Sequence, residues 1–262
     1  MTVRPGRLGI GVIGAGHVGP ILAAALAGAG HALIGISAIS QASRDRAEAI
    51  LPGVPVLTVP EVVERSELVI IAVPDDQLDS LVTGLAATGT WQPGQLVLHT
   101  SARYGTNVLL PAQRAGAIPL AIHPAMAFTG TSLDISRLAD SYFAVTAPAP
   151  VLPIAQALVV EMGGEPVIVA EGDREVYSEA IETATAFSSS IVDQSTRLLS
   201  EIGIEAPGAV IAPLVRSAIE NALTRTGARH PLDDLADLGD TTHLLDPPYP
   251  PHPPHPFDPE DQ

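Results

Sequence analysis

The sequence predicts an α/β fold: a doubly wound parallel sheet followed by a smaller, mainly α-helical domain. Short apolar runs alternate with amphipathic helical stretches over the first half of the chain, the rhythm of a parallel sheet covered by helices. The first of these runs ends in a glycine-rich turn that opens directly into a helical pattern. Beyond residue 147 the alternation gives way to long helical periodicity.

Leu8–Ile13 reads as the first strand, an apolar run stopped by glycine. Val18, Ile21, Leu22, Ala25 and Leu26 recur at helical spacing and place a helix over about residues 16–28. Pro20 falls in its first turn, where a missing N–H costs little. Ala32–Ser37 is a second strand and Arg44–Leu51 a short helix. Val54–Thr58 is a third strand, followed by a helix over Pro60–Arg65. Leu68–Val73 is apolar throughout, as a strand buried on both faces requires. A helix over Gln77–Ala87, capped by Asp75 and Asp76, leads to the strand Gln95–His99. Ala117–Ile122 and Tyr142–Thr146 extend the same sheet. Past Ala147-Pro148-Ala149-Pro150 come a helix over Pro153–Met162, a strand over Pro166–Ala170, a long helix over Arg174–Ile202 and a last helix over Pro207–Leu223. The expected domains are therefore 1–148, 149–230 and a tail, 231–262.

Composition removes several kinds of chemistry. The chain has no cysteine and no lysine; all 13 of its Lys-plus-Arg residues are arginine. Thiol catalysis, Cys-ligated metal sites, Schiff-base lysines and lysine-dependent phosphate loops are excluded, and no metal site is expected. A net charge of −16 argues against nucleic acid or an anionic membrane surface as a partner. The tail holds eight of the 29 acids and no arginine, and residues 246–262 include eight prolines. It reads as disordered and polyproline-like, with His252 and His255 solvated. No apolar run reaches membrane-spanning length, and the first strand leaves no room for a signal peptide, so a cytoplasmic protein is expected.

Gly14-Ala15-Gly16-His17-Val18-Gly19 is G-x-G-x-x-G between a strand and a helix, the context this dinucleotide signature requires. Gly14 permits the tight turn, Gly16 lets the backbone approach a pyrophosphate, and Gly19 lets helix and strand pack closely. The helix N-terminus supplies N–H groups and a positive dipole end. The second strand ends at Ser37 with no acid after it, where a ribose 2′-hydroxyl would need one. Ser37, Ser40 and Arg44 suit a 2′-phosphate better. NADP is thus the expected cofactor, with NAD the alternative. Val73 and Pro74, at the carboxyl end of their strand, should lie beside the cofactor. His99 and His123 end adjacent strands at the same edge; either can donate a proton or orient a carbonyl.

Taken in order, GVIGAGHVG, LVIIAVPDD, LHTSA and AIHPAMAFTG resemble the Rossmann-like proteins that carry a second helical domain of unknown function. These are relatives of pyrroline-carboxylate reductase and phosphogluconate dehydrogenase. The resemblance covers about residues 6–223. It implies a nicotinamide-dependent reductase, since members include an alternative type of ketopantoate reductase, and a dimer formed through the long helix. Tyr177 is retained, but Ser178 stands where the family has histidine and Ala186 where an asparagine is expected. The family's closing Thr-Gly-Pro segment gives way after Thr224-Arg225-Thr226-Gly227 to the acidic tail.

The expected function is NADP-dependent reduction of a small 2-oxo acid, ketopantoate-like, or of a cyclic imine. His123, Ser101 and Thr100 are the expected catalytic groups and Arg103 the substrate carboxylate clamp. The alternative is a non-catalytic NADP-binding regulator, favoured by the lost polar groups. A homodimer through helix 174–202 is expected, because Val176, Ala180, Ala184, Phe187, Ile191, Leu198 and Ile202 form a stripe too long for one small domain to cover.

Overall fold

The computed structural model describes residues 7–225. The acidic tail predicted over residues 231–262 lies outside them. Seven strands form one sheet: β1 (Gly9–Ile13), β2 (Ala32–Ser37), β3 (Leu68–Ile71), β4 (Leu96–His99), β5 (Ile118–Pro124), β6 (Tyr142–Thr146) and β7 (Glu165–Ile168). Their order is β2-β1-β3-β4-β5-β6-β7. β1 to β5 run parallel, β6 is antiparallel to β5, and β7 is parallel to β6. The carboxyl ends of the five parallel strands therefore lie along one edge.

Both faces of the central strands β1, β3 and β4 are buried. Ile10, Val12, Leu68, Ile70, Leu96 and Leu98 point into one core, and Ile13, Val69, Ile71 and Val97 into the other. This period of two, with apolar residues at both phases, explains why the strands read as unbroken apolar runs. α1 (Gly19–Gly28) covers the first face with Ile21, Leu22 and Leu26 fully buried. α7 (Leu152–Glu161) packs on the same side through Ala155, Leu158 and Val159. The opposite face is covered by α3 (Val59–Arg65) and α4 (Asp75–Ala87), through Val62, Val63, Leu78 and Val82. α2 (Gln41–Ile50), α5 (Leu110–Arg114) and α6 (Leu133–Arg137) are short connectors.

The predicted strand Val54–Thr58 is not a strand. It makes a single bridge, Ile36 to Val56, at the edge of β2. Pro55 is the reason: it has no N–H to donate, so only its carbonyl and the Leu57 amide engage β2. A second difference concerns the predicted boundary at residue 148. α7 and β7 lie beyond it, yet β7 pairs with β6 in the one sheet. The first compact unit runs to Ser188 and the second starts at Ser189. α8 (Arg174–Glu201) is a single 28-residue helix. The second unit contains its last turns and α9 (Pro207–Arg225). There Ile191, Leu198, Ile202, Val210 and Leu214 are exposed. Among the described residues no helix is long and apolar enough to cross a membrane.

Candidate functional site

The turn between β1 and α1 is built as a cradle. Gly14 has φ of 100°, a left-handed conformation that favours glycine, and a Cβ there would collide with the Ala72 carbonyl. Its N–H donates to Ser37 Oγ at 3.2 Å, fastening the turn to the end of β2. Nothing lies within 4 Å of where a Gly16 Cβ would stand. α1 begins with no side-chain cap and no acid in its first turn, so its first N–H groups are not claimed by a side chain. Beside this turn opens a cavity of about 630 Å³, lined by Gly14, Ala15, Gly16, Ser37, Ser40, Val73 and Pro74 among others, with no carboxylate in its wall. The residues present fit a dinucleotide, whose pyrophosphate would be held by the backbone at Gly16 and the N-terminus of α1.

Within the motif, His17 is exposed and Val18 packs against the core. Ser40 caps α2, accepting the Ser43 N–H at 3.1 Å. Arg44 is exposed, directs its Nε toward the Ala38 carbonyl at 3.5 Å, and is not part of the cavity wall. Arg46 is, together with Ser43; its Nη1 donates to the Ala15 carbonyl at 3.0 Å. The helix geometry explains the exchange. Residues three apart share a face and residues two apart do not, so Ser43 and Arg46 look into the cavity while Arg44 turns away. The helix begins three residues before the expected start at Arg44, and with Ser40 as its cap Ser43 and Arg46 fall on one face.

The second group gathers at the carboxyl ends of β4 and β5. His99 is fully buried. Its Nδ1 accepts the Ser101 N–H at 3.2 Å and its Nε2 meets the Gly105 carbonyl at 2.7 Å, which fixes a neutral Nε2–H tautomer. Burial pushes its pKa down to about 4. Ser101 Oγ accepts the N–H groups of Arg103 and Tyr104, shaping the turn after β4. The Thr100 N–H bonds the Ile71 carbonyl at 3.2 Å. These groups hold the loop, and their arrangement gives His99 no free ring nitrogen.

His123 is half-buried, and its Nδ1 lies 2.9 Å from the Tyr177 hydroxyl with the rings edge to face. Burial, then the nearby Arg174 cation, lower its pKa to about 4. Burial raises the pKa of Tyr177, and Arg174 opposes the rise. In either tautomer one donor stays free: imidazole Nε2–H when the phenol donates to Nδ1, or the phenol O–H when Nδ1–H donates to it. Arg174 is a group that residue-level reading missed. It is 1% exposed, although its place at a helix start reads as solvated. Arg103 is exposed and lines a cavity of about 270 Å³ with Glu175, Ser178, Glu179 and Glu182. The expected carboxylate clamp thus faces three glutamates. Ser178 donates to Glu182 at 2.9 Å. Among the described residues no cluster of His, Asp and Glu is placed to hold a metal.

No curated protein matches the chain by sequence. Solved structures share its fold. A provisionally assigned NADP oxidoreductase of Bacteroides fragilis superposes with a TM-score of 0.70 at 18% identity, over 91% of this chain and 90% of that one. An imine reductase of Streptomyces aurantiacus gives 0.64 at 18% identity, over 88% and 78%. The 1-pyrroline-5-carboxylate reductase of Streptococcus pyogenes gives 0.61 at 19% identity, over 91% and 88%. Residues 1–124 match the model of the Rossmann-like domain, and residues 141–231 match a domain of unknown function, DUF2520. The second match begins before β6, so it supplies the two reversed strands as well as α8 and α9. The chain is thus a Rossmann-like domain joined to a C-terminal DUF2520 domain.

Proposed function

We propose that the protein is an NADP-dependent oxidoreductase that reduces a small cyclic imine or 2-oxo acid. The observation that carries this reading is the glycine cradle, open at Gly16 beside an uncapped helix start. NADP over NAD is supported by a cavity wall with no carboxylate and with Ser40, Ser43 and Arg46 near the end of β2. Those groups suit charge-assisted hydrogen bonds to a 2′-phosphate. When bound, the reduced nicotinamide supplies a hydride. The chain's part is to hold the substrate and, for a 2-oxo acid or an imine bound neutral, to supply the proton that its oxygen or nitrogen takes up; an imine bound already protonated needs none. The His123–Tyr177 pair keeps one free donor, with both rings neutral at physiological pH. The glutamates facing Arg103 favour a protonated imine over a substrate whose only charge is a carboxylate. Names attached to the similar structures, an NADP oxidoreductase, imine reductases and pyrroline-5-carboxylate reductases, agree with this reading.

The exposed apolar side chains of α8 support a homodimer. Val176 and Phe187 in the first unit, and Ile191 and Leu198 in the second, are each more than half exposed. A second copy related by a two-fold axis would bury such a stripe against itself.

One observation favours a second reading, an NADP-binding regulator without turnover. Ser178 is committed to Glu182, and Ala186 has no polar group to offer. Titration calorimetry with NADPH, NADP, NADH and NAD, followed by NADPH oxidation on cyclic imines and 2-oxo acids, separates the two. Tight NADPH binding with imine turnover is expected. Binding with no turnover across both substrate classes would make the protein the regulator, and no dinucleotide binding would remove both readings.

A further inference from the structure

The least expected side chain in the first unit is Arg174. It is among the largest fully buried side chains, 1% exposed, yet no carboxylate among the described residues lies within ion-pair distance of it. Buried cations are ordinarily paired. It is also the first residue of α8, where the positive end of the helix dipole disfavours a cation. Two electrostatic rules are broken at one residue, and such breaks concentrate at functional sites.

Its acceptors show what it holds. Nε donates to Thr146 Oγ1 at 2.7 Å, and Nη2 donates to the carbonyls of Ala121 at 2.9 Å and Ala144 at 3.2 Å. Nη1 reaches the Ser101 carbonyl at 3.5 Å. One guanidinium thus binds the turn after β4 and both strands of the β5–β6 pair, in which Ala121 faces Thr146 and His123 faces Ala144. Ala121 precedes His123 by two residues on β5. Arg174 precedes Tyr177 by three on α8, so both lie on one helix face, and the guanidinium carbon stands 5.9 Å from the Tyr177 ring centre. The same planar group therefore fixes the backbone that carries His123 and the helix turn that carries Tyr177.

Glu171 anchors the entry to that helix a second time. Its carboxylate accepts the Thr106 N–H at 2.7 Å, the Thr106 hydroxyl at 3.0 Å and the Asn107 N–H at 3.1 Å. A Cβ on Gly105 would collide with it.

We propose that Arg174 is the positioning residue of this site, setting Tyr177 against His123 by tying the first turn of α8 to the ends of β5 and β6. The proposal rests on the reductase reading for its catalytic consequence, but not for its structural one. A fork of donors is required: lysine keeps the charge and loses the geometry.

The test uses the full-length protein and the variants Arg174→Met, Arg174→Lys and Tyr177→Phe. His123 ring resonances, assigned through His123→Asn, are followed by NMR across pH. Removing the cation should move the His123 midpoint upward in Arg174→Met, and the ring shifts should move toward those of Tyr177→Phe as the phenol contact is lost. Arg174→Lys should keep the low midpoint and still lose the contact. With NADPH and a reducible cyclic imine, kcat should fall about 100-fold in both Arg174 variants, as expected for a misplaced donor, while NADPH affinity stays unchanged. If Arg174→Met unfolds, Arg174→Gln, which fills similar space and donates to fewer acceptors, gives the same readings. Wild-type His123 shifts in the Arg174 variants would overturn the proposal, and so would wild-type kcat in them. If the wild type turns over no substrate while the NMR contact still depends on Arg174, the positioning role stands and the reductase reading falls.

Discussion

His99 shows how a strand-end histidine can be fully committed. Both ring nitrogens are bonded within its own loop, and burial holds its pKa near 4, below the ordinary 6.5. A histidine kept neutral in the fold contributes stability that is present above about 6.5 and lost as pH falls toward 4. Between pH 7 and 4.5 the loss from this one group should be about 2–3 kcal/mol. His99→Gln can make the same two hydrogen bonds without titrating. Urea denaturation at both pH values should show a shallower acid loss in that variant, and an equal loss would show that His99 is not the group that charges. Arg46 gives a second residue-scale test. Arg46→Ala should weaken NADPH by about 1.5–3 kcal/mol, the worth of a hydrogen bond to a charged group, and leave NADH nearly unchanged. Arg44→Ala should change neither, and the reverse pattern would return the 2′-phosphate role to Arg44. His123 could be read from sequence because it ends an apolar strand, and Tyr177 through the family resemblance. Arg174 could not, because burial of a cation depends on which carbonyls the fold brings around it.

At the scale of elements, most of the sheet could be read because its strands are apolar at both phases and its helices are not. The third strand failed on Pro55 alone: the run Val54–Thr58 is apolar enough to pair, but its missing donor limits it to one bridge. The reversal of β6 left no trace in periodicity, since a buried strand reads the same in either direction, and β7 follows it as a largely exposed edge strand. The start of α2 mattered more. Serine is a favoured cap residue, and a helix capped by Ser40 carries Ser43 and Arg46, not Arg44, on the cavity face. The entry to α8 can be probed through Gly105. Gly105→Ala drives a methyl group into the Glu171 carboxylate and should cost about 1–3 kcal/mol as an overpacked contact. Thermal unfolding measures it, and unchanged stability would mean that Glu171 is free to move aside.

For the whole molecule, one sheet takes strands from both matched family domains, and Phe143, Val145, Leu158 and Val159 of the second share a core with Ile10, Val12 and Leu22 of the first. The exposed apolar side chains of α8 carry the dimer proposal. Phe187 is 66% exposed, and Phe187→Asp should convert a dimer to monomers by placing a charge in the buried seam. Light scattering reads this directly; a wild-type protein that scatters as a 27.0 kDa monomer would end the dimer proposal. The proposed function requires the cradle at Gly16 to hold NADPH. Calorimetric titration of NADPH into the wild type and into folded Gly16→Asp tests it most directly, because a carboxylate there would occupy the open space and repel a pyrophosphate. Saturable one-site binding to the wild type and none to the variant is expected. Equal NADPH affinity in the two proteins would contradict it.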